Sequence, residues 1–467
     1  MTNVDKKARK QIHLGVFEVN GINHLTQGIW AHPGQERVRY NDLEYWIEIA
    51  RILERGKFDF MFFADSYGYP KKGRELLLRE ASGTPGNDPM LLIPALAAST
   101  RHLAFTMTTS TTYEAPYANA RRFATLDHLT RGRIGWNVVT TSSSTAADLF
   151  GGGDLIPHDE RYDRADEYMD VSYKYWEGSW EDDAVKLDRE NRTFADPDKV
   201  HQVRHEGKYF RSTGVLSSTP SPQRTPVIFQ AGSSDRGRAF AAKHAEGVFL
   251  KAPTVEVLAG QIRDIRRRAA EAGRDPRQIK VFTGLSVVVA PTREEAERKH
   301  AEYLSYQSRE ATLASYASVT GIDLNALDPD SFFENIHTEM GQTHTDRFTK
   351  HSKTRKTVRE VADDFLQKGF RGLTVIGSPE DVADRIAEWT EAADLDGFNL
   401  EPYILPDSYR DFVDLAVPVL QERGLFRREY EAGTLRERLL GEGIARLPEN
   451  HPGAGFRPAL SESRERG

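Results

Sequence analysis

The chain has 467 residues, 39% hydrophobic and 28% charged, the balance of a soluble globular protein and too apolar for extended disorder. Its 63 basic and 70 acidic side chains leave a formal charge of −7, which supplies no positive field for a phosphate backbone or an anionic membrane. It contains no cysteine, so disulfides, thiolate nucleophiles and cysteine-ligated metals are excluded, and redox chemistry requires a bound cofactor.

In chain order, short apolar runs alternate with amphipathic helical stretches. The predicted strands are 12–17, 59–64, 103–111, 134–140, 226–231, 247–251, 280–290 and 397–403. Helices are predicted at 42–55, 90–100, 117–131, 160–176, 235–245, 254–272 and 379–393. Eight strands favour an α/β fold of the closed (β/α)₈ TIM-barrel type over an open doubly wound sheet. Three stretches exceed a minimal barrel and read as insertions: 66–89 after strand 2, 178–225 before strand 5, and about 292–372 after strand 7. The last of these contains THTDRFTKHSKTRK, which reads as a solvated loop or a lid. Residues 1–440 are expected to form a single barrel domain, and 441–467 a C-terminal tail that wraps the surface or stays disordered. No run is long enough for a signal core or a bilayer span, which makes the cytoplasm the default location.

In such a barrel the functional groups project from the carboxyl ends of the strands. Those ends here carry Asp65; the hydroxyls of Thr108 to Thr112, including Ser110; Asn137 with Thr140, Thr141 and Ser142; and Gly232-Ser233-Ser234. A carboxylate, an amide and many hydroxyls suit a heteroaromatic ring bearing carbonyls and N–H groups. The segment QAGSSDRGRAF (230–240) joins a small-residue turn to a helix start, which is either a phosphate seat or an ordinary turn capped by Ser234 or Asp235. HDERYDRADEY (158–168) reads as a solvated helix start from which His158 and Tyr162 could reach a phosphate. The 14 histidines are dispersed without a carboxylate constellation, so no metal is expected. No G-x-S-x-G elbow, Walker pattern or GxGxxG turn occurs.

Six ordered blocks together resemble the bacterial luciferase-like flavin monooxygenases, in the branch of nitrilotriacetate, long-chain alkane and dibenzothiophene sulfone monooxygenases. They are LERGKFDFMFFAD (53–65), YANARRFATLDHLTRGRIGWNVVT (117–140), ERYDRADEY (160–168), FADPDKVHQVRHEGKYFRSTGVL (194–216), PSPQRTPVIFQAGSSDRGRAFAAKHAEGVF (220–249), and the stretch from GSPEDVADRIAEW to LQERG (377–424). The resemblance implies the oxygenase component of a two-component monooxygenase. Such a protein takes FMNH₂ from a separate NAD(P)H-dependent flavin reductase, reacts it with O₂ through a C4a-(hydro)peroxyflavin, and oxygenates a small organic substrate. It further implies flavin contacts at Asp65, Ser110, Thr112, Asn137 and His158, and a phosphate group held by Tyr162, Ser233 and Ser234. The protein supplies positioning and protonation. His24, after the first strand, is the expected proton-handling residue, with His344 and Tyr113 behind it. The alternatives are an F420-dependent oxidoreductase of the same barrel superfamily and a non-catalytic flavin-binding protein. Phe17, Trp30, Phe63, Tyr67 and Phe249 at strand ends favour an apolar or aromatic substrate over a polyanion. A homo-oligomer, dimer or tetramer, is expected from the resemblance.

Overall fold

The computed structural model describes residues 10–22, 25–69, 73–141, 143–334, 342–350, 352 and 354–458. In chain order the strands are β1 His13–Glu18, β2 Phe60–Phe63, β3 Ala104–Ser110, β4 Ile134–Val139, β5 Val185–Asp188, β6 Thr193–Ala195, β7 Val203–Glu206, β8 Arg211–Gly214, β9 Val227–Gln230, β10 Gly247–Leu250, β11 Lys280–Val289, β12 Leu373–Gly377 and β13 Gly397–Leu400. The main sheet runs β10-β9-β4-β3-β2-β1-β13-β11-β12, and a further β10–β11 pairing closes eight of these strands into a barrel. Those eight are the eight expected from the sequence. Their runs are apolar on both faces because helices cover one side and the filled barrel interior the other.

The ninth strand, β12, was not expected. It pairs with the second half of β11, Leu285 opposite Leu373 through Val289 opposite Gly377, and directly follows the third insertion. The second insertion folds as two antiparallel hairpins, β5–β6 and β7–β8. Within the third, helices Arg309–Thr320 and Val358–Lys368 build their own apolar cluster around Tyr316, Val361 and Phe365, while Tyr303 of helix Arg293–Ser305 packs in a separate cluster with Val288 and Tyr403. Phe348 of the segment expected to be a solvated loop or lid is buried in that cluster, which gives the segment an anchor.

The chain divides into two compact units. Unit 1 comprises Met1–Leu103, Phe249–Ile262 and Val281–Tyr430; unit 2 comprises Ala104–Val248, Arg263–Lys280 and Glu431–Gly467. In unit 1, Trp46 of helix Leu43–Arg55 packs edge-on against Phe63, which marks the helix-facing side of β2. Side chains alternate across a strand, so Phe62 faces the opposite, interior side, with Phe17 and Phe249 beside it. In unit 2, Trp136 of β4 packs on Phe123 and Trp176 of the covering helices, so Asn137 points to the interior. Here the tail is anchored. Leu447, His451 and Ala454 are buried, and His451 Nε2 lies 2.9 Å from the His244 carbonyl oxygen. A 3-10 turn, Pro452–Phe456, achieves this burial without the periodic apolar face a helix would show in sequence.

Candidate active site

Most of the residues expected to bind a cofactor fall in unit 2, where they form two groups. The first lies at the ends of β3 and β4, whose register sets Thr108 beside Asn137 and Ser110 beside Val139. Asn137 Nδ2 donates to Thr108 Oγ1 at 2.9 Å. Its Oδ1 is buried with no hydrogen-bond partner among the described residues. Burying an amide oxygen without a partner costs free energy, so this acceptor is suited to a donor brought by a ligand. Above it, the Thr141 hydroxyl donates to Ser110 Oγ at 2.7 Å, Ser110 Oγ accepts from the Thr112 N–H at 3.1 Å, and the Thr112 hydroxyl donates to the Thr140 carbonyl at 2.8 Å. These bonds fix the strand ends in place.

The second group sits where β9 turns into helix Asp235–His244. Ser234 caps that helix, its Oγ accepting from the Gly237 N–H at 3.1 Å, and His158 Nε2 lies 3.3 Å from the same oxygen. Tyr162, one turn along helix His158–Gly178, brings its hydroxyl into the crook of this turn. A Cβ at Gly232 or Gly237 would collide with that hydroxyl, so the two glycines are what admit it. Burial pushes the Tyr162 phenol above its usual value, against a hydrogen bond from Ser234 and the nearby Arg161 and Arg236 guanidiniums. Tyr162 therefore stays a protonated donor at neutral pH. Ser233 contributes its carbonyl oxygen, which accepts from Arg238 Nη1 at 2.5 Å. A helix N-terminus, a phenol, a hydroxyl and an imidazole together suit an anion such as a phosphate.

Gln230 was not singled out from the sequence. It closes β9, its Oε1 is buried without a hydrogen-bond partner among the described residues, and its Nε2 is 3.5 Å from Tyr162 Oη. Its position as the last residue of an apolar strand was the available signal.

In unit 1, Asp65 is half-buried and its Oδ1 accepts from the Ser66 N–H at 2.9 Å. His24 lies outside the described residues. His344 is half-buried, its ring 4.6 Å from that of Phe370, and burial together with the Lys251 and Arg347 cations lowers its pKa to about 3. The imidazole is therefore neutral at physiological pH. Phe17 and Phe249 meet at 4.9 Å with Phe62 against both, forming an aromatic wall on the interior face. Phe63, expected in that wall, faces the helix instead, because a one-residue step along a strand exchanges its faces.

Unit 1 also holds a charged cluster that strand-end reasoning passed over. Lys251 directly follows β10 and pairs with Glu401, just beyond β13, at 2.5 Å. Arg371 is buried over the ring of Tyr403, 3.7 Å from its centroid. Both strand ends were visible in sequence as GVFLK and NLEPY.

The sequence profile described as luciferase-like monooxygenase matches residues 21–395. The chain belongs to that family. The expected class, a flavin-dependent monooxygenase, is borne out with it. The chain is 47% identical over 452 residues to the long-chain alkane monooxygenase of Geobacillus thermodenitrificans (strain NG80-2), covering 96% of this chain and 98% of that relative. It is 44% identical to the dimethyl-sulfide monooxygenase of Hyphomicrobium sulfonivorans, over 97% and 95% of the two chains. Among solved structures, a riboflavin lyase crystallised with modified FMN and riboflavin superposes with a TM-score of 0.91 at 46% identity, covering 96% of this chain and all of that one. Among the described residues no helix is long and apolar enough to cross a membrane, and no group of three or more His, Asp or Glu is placed to hold a metal.

Proposed function

We propose that this chain is the oxygenase component of a two-component system, receiving FMNH₂ from a separate NAD(P)H-dependent reductase and oxygenating a small, apolar or aromatic organic molecule. The observation that carries the reading is the pair of buried, unpartnered acceptors in unit 2, Asn137 Oδ1 and Gln230 Oε1, flanking a hydroxyl-rich strand end and a helix N-terminus. That donor and acceptor set fits a flavin mononucleotide. Asn137, Ser110 and Thr112 would hold the ring and ribityl chain, and Asp65 is likewise proposed as a flavin contact. Tyr162, Ser233, Ser234 and His158 would hold the phosphate. The neighbour crystallised with modified FMN supports the choice of cofactor. Bound reduced flavin would supply the electrons that activate O₂.

The chain's own residues then have separable tasks. Tyr162, kept protonated by burial, donates to the phosphate, and the Ser234 cap orients the helix N–H groups toward it. The aromatic wall of Phe17, Phe62 and Phe249 keeps water from the substrate and favours an apolar body. His24 is assigned the proton at the reacting edge. The relatives' names span an alkane, dimethyl sulfide and riboflavin, so the substrate itself is not carried over.

The test is anaerobic titration of the protein with photoreduced FMN, followed by mixing with oxygenated buffer. Saturable binding of reduced FMN, and O₂ uptake that changes when an acceptor substrate is added, are expected. Absence of binding, with turnover of F420 instead, would overturn the reading.

A further inference from the structure

The charged cluster of unit 1 has no task in the reading above. Lys251 Nζ contacts Glu401 Oε1 at 2.5 Å and donates to the Phe370 carbonyl at 3.0 Å. It lies over the rings of Phe17 and Phe249, at 4.8 and 5.6 Å from their centroids. Glu401 is fully buried, and its Oε2 is already committed to the Ser286 hydroxyl at 3.1 Å and the Gly372 N–H at 3.0 Å. Arg371 brings a second buried cation. Its guanidinium is satisfied by neutral acceptors: Thr26 Oγ1 at 2.9 Å, Ser286 Oγ at 3.0 Å, and the carbonyls of Glu401 and Pro402 at 3.0 and 3.1 Å.

Among the described residues, then, two cations share one carboxylate. Arg347 adds to the positive field on Lys251, since its carboxylate partner Asp364, at 3.2 Å, is shared with Lys368 at 2.6 Å and Lys356 at 3.6 Å. An enclosed excess of positive charge is unfavourable: burial, with Arg371 and Arg347, lowers the pKa of Lys251 against the pull of Glu401, and an added anion would favour its charged form. The solvent-reachable edge of the cluster is Lys251, whose side chain keeps 24% of its exposure. A lysine filling space in the barrel would need no such edge and would be matched by its carboxylate without an accompanying buried arginine.

We propose that Lys251, braced by Glu401, receives the anionic head of an amphiphilic ligand, a carboxylate or a sulfonate, whose apolar body rests on Phe17, Phe62 and Phe249. Calling that ligand the substrate rests on the oxygenase reading. A negative charge on an apolar body satisfies both the aromatic wall and Lys251. The aromatic rings under Lys251 also favour the ammonium by cation–π attraction and so hold it at the edge of the wall.

The probes are naphthalene-2-sulfonate, naphthalene-2-carboxylate and neutral 2-naphthamide, titrated into the full-length protein with Kd read by calorimetry. The parent is expected to bind at least one of the two anions about tenfold or more tighter than the amide, as a charged hydrogen bond in a protected site allows. The favoured anion tells whether the head is planar or tetrahedral. Lys251→Met removes the preference while leaving amide binding within about twofold, and Lys251→Arg retains it. Glu401→Gln tightens the anion, because it removes the competitor for Lys251. If Lys251→Met does not fold, the double variant Lys251→Met/Glu401→Gln, which removes both partners, carries the same expected loss. Equal binding of anions and amide by the parent, a preference that survives in Lys251→Met, or unchanged or weaker anion binding in Glu401→Gln would each overturn the proposal and mark a structural ion pair. Reduced-FMN binding by the same parent sample decides the oxygenase reading separately. Anion preference without it retains the Lys251 site and removes the oxygenase reading; the converse does the opposite.

Discussion

The strand-end groups around Asn137 and Gln230 in unit 2 and the cluster around Lys251 in unit 1 meet the cost of buried polarity in different ways. In unit 2 the interior strand ends carry neutral groups, amides and hydroxyls, and the cost of leaving Asn137 Oδ1 and Gln230 Oε1 unpartnered is that of a dipole. In unit 1 the interior carries Lys251, Arg371 and Glu401, where the cost of an unpartnered group is that of a charge. Neutral groups can wait for a ligand and tolerate its absence. Charged groups must be compensated within the protein, and what is left over is a preference for the sign of the ligand.

The largest expected effect breaks this comparison at its charged end. Glu401→Gln leaves Lys251 and Arg371 enclosed without a carboxylate and is expected to lower stability by about 3–5 kcal/mol in urea denaturation. Asn137→Ala, which removes a neutral amide from unit 2, is expected to cost only about 1–2 kcal/mol on the same assay while weakening reduced-FMN binding. Similar losses for the two variants would mean that Glu401 is not the compensating charge the geometry makes it.

A smaller effect comes from pH. Burial lowers the pKa of His244 in unit 2 to about 4, despite Asp166 hydrogen-bonded to its Nε2 at 2.8 Å. The unfolded chain takes up the proton near pH 6.5 and the folded chain does not. Stability from this group is therefore fully present above about pH 6.5 and is lost as the pH falls toward 4, by about 2 kcal/mol at pH 5. Asp166 acts lower on the scale. Burial alone would raise its pKa, but His244, Arg236 and Lys243 together hold it well below the usual carboxylate range, so its contribution is lost only as the pH falls below the unfolded value near 4. His244→Gln is expected to flatten the fall in melting temperature between pH 6.5 and 5. An unchanged slope would place the acid response elsewhere, with His344 of unit 1 next in line.

How much of this could be read from sequence follows from the same physics. The eight barrel strands were legible because burial on both faces leaves continuous apolar runs, and the helices because their caps and periodicity agree. LTVIG was not legible as a strand: it is five residues long, half-buried at alternate positions, and follows an insertion without a crossover signature. The hydroxyl- and amide-rich ends of β3, β4 and β9 stood out because such residues are unusual at the close of an apolar run. Lys251 and Glu401 lay within the expected strands 247–251 and 397–403 and were passed over, because nothing in the sequence pairs them with each other. Only the fold shows that two residues 150 positions apart share one buried bond.

The smallest expected effect separates structural from functional capping with one matched pair. Ser234 in unit 2 and Thr357 in unit 1 do the same local work: each side chain accepts from the third N–H of its helix, Gly237 N at 3.1 Å and Glu360 N at 3.3 Å. Replacing either with alanine removes one cap and is expected to cost about 1 kcal/mol. Ser234 alone also faces His158 and Tyr162, so Ser234→Ala is expected to weaken reduced-FMN binding severalfold while Thr357→Ala leaves it unchanged. Parallel loss of stability with divergent flavin affinity would tie the phosphate site to unit 2. Parallel loss of both would reduce Ser234 to a helix cap and return the turn at 230–240 to the ordinary βα connection that its sequence equally allows.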